Sequence, residues 1–153
     1  MTMSLDNHES IRSFVEERYF GNVSEGNIDS VIECFESGAR VVIRHGDNPV
    51  REFVAGSGGG DTELMEFYEH LCGNYDARFD DFQHFVDLEQ QRSACYFKVR
   101  LQPKPDGLYS GAGTQELYNC NFFEYRNDRI SHMIIYYSNP QADNTDNPTG
   151  YPR

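Results

Sequence analysis

Val41-Val42-Ile43-Arg44-His45-Gly46 runs an apolar, β-branched stretch into an imidazole set between a guanidinium and a glycine. A histidine presented at a strand end can accept a phosphoryl group, so Arg44-His45-Gly46 is first weighed as a phosphohistidine motif. That chemistry needs further basic groups to hold the phosphate and a parallel sheet with crossover helices. Here a helical pattern precedes the motif and hairpins follow it. A strand ending in an Asp47-Asn48-Pro49 turn accounts for the same residues. His45 keeps one chemical use even so: an imidazole can take or give a proton near neutral pH.

Other stretches carry weaker signals. Gly56 to Asp61, GSGGGD, opens a helix as a phosphate cradle would, but it lacks the lysine of a P-loop and the last glycine of GxGxxG, and so reads as a connection or a lid. Asp143 to Gly150, DNTDNPTG, spaces oxygens like half a calcium loop without the closing glutamate. His8, His45, His70, His84 and His132 show no HxH or HExxH pairing, and Cys34, Cys72, Cys95 and Cys120 have neither metal-ligand nor redox spacing, so no metal is expected and the thiols read as buried and reduced. Arg78 to His84 places polar groups on both faces of a strand, which makes Asp81 and His84 candidates to face a cavity.

Acidic residues outnumber basic ones by 25 to 13, for a net charge of −12, which opposes binding to nucleic acid or to an anionic membrane surface. Aromatic side chains make up 14% of the chain, all Phe and Tyr, as suits an interior lined with rings. The polar start MTMSLDNHES lacks the apolar stretch of a signal peptide, and no run reaches the roughly 20 apolar residues of a membrane span, so a soluble cytoplasmic protein is expected.

Helical spacing marks three segments: Ile11, Phe14, Val15 and Tyr19; Ile28, Val31, Ile32 and Phe35; Leu64, Phe67, Tyr68 and Leu71. GNVSEGN reads as the link between the first two, and Asp61 as an N-cap of the third. Strands are expected over 40–45, 50–54, 77–88, 93–102, 114–125 and 129–137, the last four forming a meander through LEQQR, KPDGLYSG and RND. The expected architecture is α+β, a mostly antiparallel sheet curled around three helices of the N-terminal half. It forms a single domain over 1–139, followed by a polar, flexible tail over 140–153.

Two segments, EGNIDSVIECF (25–35) and NFFEYRNDRISHMIIYYSNP (121–140), carry a resemblance to the SnoaL-like branch of the ketosteroid isomerase and nuclear transport factor two-like superfamily. The resemblance implies a cone-shaped, cystatin-like α+β barrel with an apolar pocket. It puts Tyr19 where ketosteroid isomerases keep an oxyanion-hole tyrosine and Asn121 where they keep a protonated aspartate; an amide can donate that bond without a raised pKa. The family's base position falls on Ile43, so the steroid-isomerase mechanism is not supported as it stands, and His45, two residues on and of the same strand parity, becomes the candidate base. The acidic cavity positions of the last strand correspond to Met133, Ile135 and Tyr137, against an epoxide-hydrolase charge network.

By this resemblance the catalytic candidates are His45, Tyr19 and Asn121. Asn119, Tyr137, Phe97, Phe123, Ile43, Ile135, Asp81 and His84 are the substrate-binding candidates. The implied activity is a cofactor-independent isomerase, dehydratase or cyclase acting on a small, apolar, oxygenated compound of polyketide, terpenoid or steroid type. The rival is a binding or dimerisation protein of the same fold. A homodimer through the outer sheet face, with Tyr96, Tyr118, Phe122 and Tyr136 covered, is also implied.

Overall fold

The computed structural model describes residues 4–45, 49–55 and 59–138; the expected tail and Gly56–Gly58 of the GSGGGD stretch lie outside them. The first helix begins as α1 (His8–Ser13), where Asn7 accepts from the Ser10 N–H at 2.8 Å in a capping box. It runs on through a π-helical stretch, Phe14–Phe20, and α2 (Gly21–Glu25) before Gly26 ends it in the left-handed region. GNVSEGN is therefore mostly helix rather than link, and only Gly26 and Asn27 make the turn to α3 (Ile28–Ile32). Phe35 is not on that helix. It opens β1 (Phe35–His45), because the Cys34 carbonyl is already taken by the Ile130 N–H at 2.8 Å and the sheet claims the chain.

After β2 (Arg51–Val54), α4 (Gly59–Asn74) already runs two residues ahead of Asp61, which is thus inside the helix and not its cap. The expected meander follows as β3 (Tyr75–Asp87), β4 (Arg92–Pro103), β5 (Gln115–Arg126) and β6 (Arg129–Ser138). Asn127 and Asp128, with φ of 54° and 60°, form the two-residue turn that matches the twist of β5 and β6. The six strands lie in the order β2-β1-β6-β5-β4-β3, a curved sheet that does not close, antiparallel except where β1 runs beside β6.

The concave face of this sheet is the core. Ile11, Phe14, Val15 and Tyr19 pack onto it from the first helix, and Leu64, Phe67, Tyr68 and Leu71 from α4, all buried as their spacing predicts. Three irregularities interrupt the register of the sheet. One lies between Phe35 and Arg40 of β1, where Gly38 has a φ of 83°; the second is a one-residue bulge between Asp80 and Gln83 of β3; the third falls where Glu124 pairs with His132 but Tyr125 with Ile130.

Gly26→Ala isolates the cost of the left-handed cap, since a Cβ there would meet nothing closer than Cys72 Cβ at 3.9 Å. The substitution should cost about 1 kcal/mol and lower the melting temperature by about 2–4 °C, read by circular dichroism.

Candidate functional site

Strand alternation sends Asn119, Asn121 and Phe123 of β5 inward, and the pairing carries each into a row across the sheet. One row is His45, Tyr137, Asn119 and Phe97; the next is Ile43, Ile135, Asn121 and Cys95. Two helices close over these rows. The π-helical stretch, in which the Gly21 N–H donates five residues back to the Glu16 carbonyl, brings Tyr19 and Phe20 inward, and α4 brings Tyr68.

Around their meeting point lies a cavity of about 10 Å³, room for about one water. Tyr19, Phe97, Asn119, Asn121 and Ile135 line it together with Phe20 and Tyr68, and among the described residues its lining contains no carboxylate, imidazole or cationic group. The two phenol oxygens of Tyr19 and Tyr68 are hydrogen-bonded at 2.6 Å. Rings fill the remainder: Phe20 lies 4.6 Å from Phe97 and 4.7 Å from Phe79.

The amides fare differently. Asn119 and Asn121 are 1% and 2% exposed, yet Oδ1 of each has no hydrogen-bond partner. Asn121 Nδ2 meets only the Met133 sulfur, at 3.9 Å. An unpaired buried acceptor costs about 1–3 kcal/mol, so two side by side are an expensive feature of an otherwise apolar interior.

The structure therefore brings five of the predicted residues to one cavity: Tyr19, Asn119, Asn121, Phe97 and Ile135. Phe123 packs edge-on against Tyr19 at 6.0 Å, and Ile43 sits beside Ile135. Tyr137 shares the row of Asn119 and Phe97 but does not line the cavity, and the half-buried His45 stacks on its far side at 4.2 Å, so the imidazole stands behind a ring and does not line the cavity either. Asp81 does not face the interior. The β3 bulge reverses the alternation, turning Phe82 and His84 inward and leaving Asp81 exposed at a φ of 56°. His84 is inward but does not line the cavity; its Nε2 is held by Glu16 Oε2 at 2.6 Å and it stacks on Phe82 at 5.8 Å.

Tyr68 is the residue the sequence left unassigned. It belongs to the core face of α4, and its one signal was a hydroxyl among aliphatic neighbours, which must find a partner when buried. Larger hollows lie elsewhere: about 430 Å³ along Phe85, Arg92, Phe122 and Ile134, and about 400 Å³ beside Glu16, Ser24, Arg78 and Asp80. Neither contains a buried polar atom lacking a partner. The four cysteines are free, and burial pushes the Cys34 thiol up to about 12 and raises those of Cys72, Cys95 and Cys120. Among the described residues no group of three His, Cys, Asp or Glu could hold a metal ion, and no helix is long and apolar enough to cross a membrane.

No family model matches the chain, and no curated protein matches it in sequence. Solved structures do. The epoxide hydrolase/cyclase-like enzyme SalBIII, described for pyran-ring formation in the polyether salinomycin, aligns over 85% of this chain and 92% of its own at 17% identity, with a TM-score of 0.64. A protein from Methylobium petroleophilum PM1, described by its cystatin-like fold, aligns over 96% and 86% at 14% identity, TM-score 0.64. The chain has the cystatin-like α+β fold. A protein from Silicibacter sp. TM1040, provisionally described as a polyketide cyclase, shares this fold over 83% and 88% at 20% identity, TM-score 0.62. These structures share the cystatin-like fold that the resemblance of residues 25–35 and 121–140 implies.

Two outcomes follow from the site. Tyr19→Phe and Tyr68→Phe should each destabilise the protein, and the double variant should cost less than their sum by about 0.5–1.5 kcal/mol in a urea double-mutant cycle; strict additivity would mean that the bond contributes nothing. Because burial raises the thiol pKa values, the unfolded chain gives up these protons more readily, so stability should fall as pH rises above about 9, the ordinary thiol range. Iodoacetamide at pH 8 should correspondingly spare Cys34 and Cys95 until denaturant is added, as mass spectrometry would show.

Proposed function

We propose that the concave interior binds a small, mostly apolar, oxygenated molecule, and that the protein isomerises, dehydrates or cyclises it without metal or organic cofactor. The observation that carries this reading is the pair of unpartnered amide oxygens, Asn119 Oδ1 and Asn121 Oδ1, beside the Tyr19–Tyr68 hydroxyl pair in a ring-lined interior. A few hydrogen-bonding groups set in apolar walls is the make-up of a site that orients an organic molecule by its oxygens. The cyclase and cyclase-like descriptions of two structures sharing the fold lend support to this choice of chemistry.

In this proposal the hydroxyls of Tyr19 and Tyr68 and the amides fix the oxygens, and Phe97 and Ile135 form the wall. The ligand must displace more than a water, since the cavity measures about 10 Å³. The sheet is tied by hydrogen bonds along each inner strand, so the yielding wall is α4, which carries Phe67, Tyr68 and Leu71. His45 then moves the proton through the space opened beside Tyr137. A second reading, a binding protein without chemistry, is favoured by Ile43 at the base position and by the lack of any ionic group among the described residues that line the cavity. Pairing of two copies through the outer face belongs to the proposal as well, supported by exposed aromatics that stack there, Tyr96 on Tyr118 at 5.7 Å and Phe122 against Tyr136 at 5.8 Å.

Capture of cell metabolites on the purified protein, followed by denaturation and mass spectrometry, tests the reading. An apolar compound bearing a few oxygens should be released, and Tyr19→Phe should capture less of it. With that compound as substrate, His45→Ala should lower turnover by about 10²-fold while capture persists. Capture without turnover in the wild type would establish the binding protein instead, and a wild type that captures nothing would remove the interior as a site.

A further inference from the structure

The two amides say more about the ligand than that it carries oxygen. A ketone or aldehyde only accepts hydrogen bonds. Among the described residues four buried side-chain atoms lack a partner, and while Tyr75 Oη and His84 Nδ1 belong to residues outside the cavity lining, the two on residues that line it, Asn119 Oδ1 and Asn121 Oδ1, are acceptors. Turning the Asn121 amide over would not help, because its oxygen would then face the Met133 sulfur, which offers no proton, in place of Nδ2 at 3.9 Å. The backbone offers nothing either, since β5 is hydrogen-bonded to β4 on one side and β6 on the other through both positions. As the amides stand, with Asn121 oriented by its Nδ2 on the Met133 sulfur, each oxygen lacks a proton that an occupant of the cavity can supply, and an apolar compound whose only polar atom is a carbonyl oxygen would bury them unpaired.

We propose that the ligand of this interior is a hydroxyl compound, an alcohol, phenol or enol, that donates hydrogen bonds to Asn119 Oδ1 and Asn121 Oδ1. This rests on the reading of the interior as the ligand site given above. It also reverses the part expected of Asn121, which acts as an acceptor that selects a hydroxyl and not as a donor that polarises a carbonyl. The two residues stand two apart on one strand face, roughly 7 Å along the chain, so two hydroxyls of one molecule can each find an amide.

The test uses 2-naphthol and 2-tetralone, which share a ten-carbon skeleton and differ in offering a hydroxyl or a ketone. Each is titrated into the full-length ¹⁵N-labelled protein and followed by amide chemical shifts. The wild type should bind 2-naphthol about ten-fold more tightly than 2-tetralone, the share of one hydrogen bond to a buried acceptor. Asn119→Leu and Asn121→Leu, made separately so that either can serve if the other fails to fold, should narrow that preference toward parity, chiefly by weakening 2-naphthol. Equal binding of the two compounds by the wild type, or a preference surviving in both variants, would overturn the inference and leave the site in place. Shifts that bypass Phe97, Asn119, Asn121 and Ile135 for both compounds would instead overturn the site itself.

Discussion

Two amides stand in the face of the sheet that the helices cover, and much of this structure arranges itself around them. A curved sheet has one side that its helices cover, and every polar group there must be satisfied from within. The Tyr19 hydroxyl meets that demand through Tyr68, at 2.6 Å. The β5 backbone meets it through the ladders to β4 and β6. Asn119 and Asn121 meet it only in part, with one oxygen each left over. Leucine would fill the same space with no such penalty, so the amides read as a cost accepted for what they bind.

Positioning falls to features of the chain far from the amides. The parallel pairing of β1 with β6 extends both inward rows as far as Ile43 and His45. The extra residue in β3 keeps Phe82 facing Phe20 and Phe97, at 5.4 and 5.3 Å, so that rings rather than Asp81 back the site. The π-helical stretch turns Tyr19 and Phe20, adjacent in sequence, onto the same interior. Around the first helix the packing is edge-to-face and tilted, with Tyr19 touching Phe20, Phe35, Tyr68 and Phe123, so a change at any of these rings is felt at the cavity.

What the sequence makes legible is what obeys a period. Alternation along β5 and β6 places Asn119, Asn121, Phe123, Ile135 and Tyr137 on one face, and the helical spacing of Ile11, Phe14, Val15 and Tyr19 marks the buried side of the first helix; the structure agrees. A one-residue bulge breaks the period without leaving a composition signal, which is why Asp81 reads inward and lies outward. Phe35 fits the helical spacing of Ile28, Val31 and Ile32, yet the contact that claims it comes from Ile130, almost a hundred residues later. The Tyr19–Tyr68 bond joins residues 49 apart and has no local trace at all. Alternation also predicts His45 on the inner side, but it cannot foresee that Tyr137 stacks between the imidazole and the cavity.

The claim beneath all of this is that Asn119 and Asn121 are kept at a cost to stability for the sake of a ligand. Urea unfolding of Asn121→Leu in the absence of ligand measures that cost most directly. Removing an unpaired buried acceptor should raise the unfolding free energy, by about 1–3 kcal/mol, with an unchanged denaturant slope. A loss of stability of that size would contradict the account, since it would mean that the amide is already satisfied by the fold and waits for nothing.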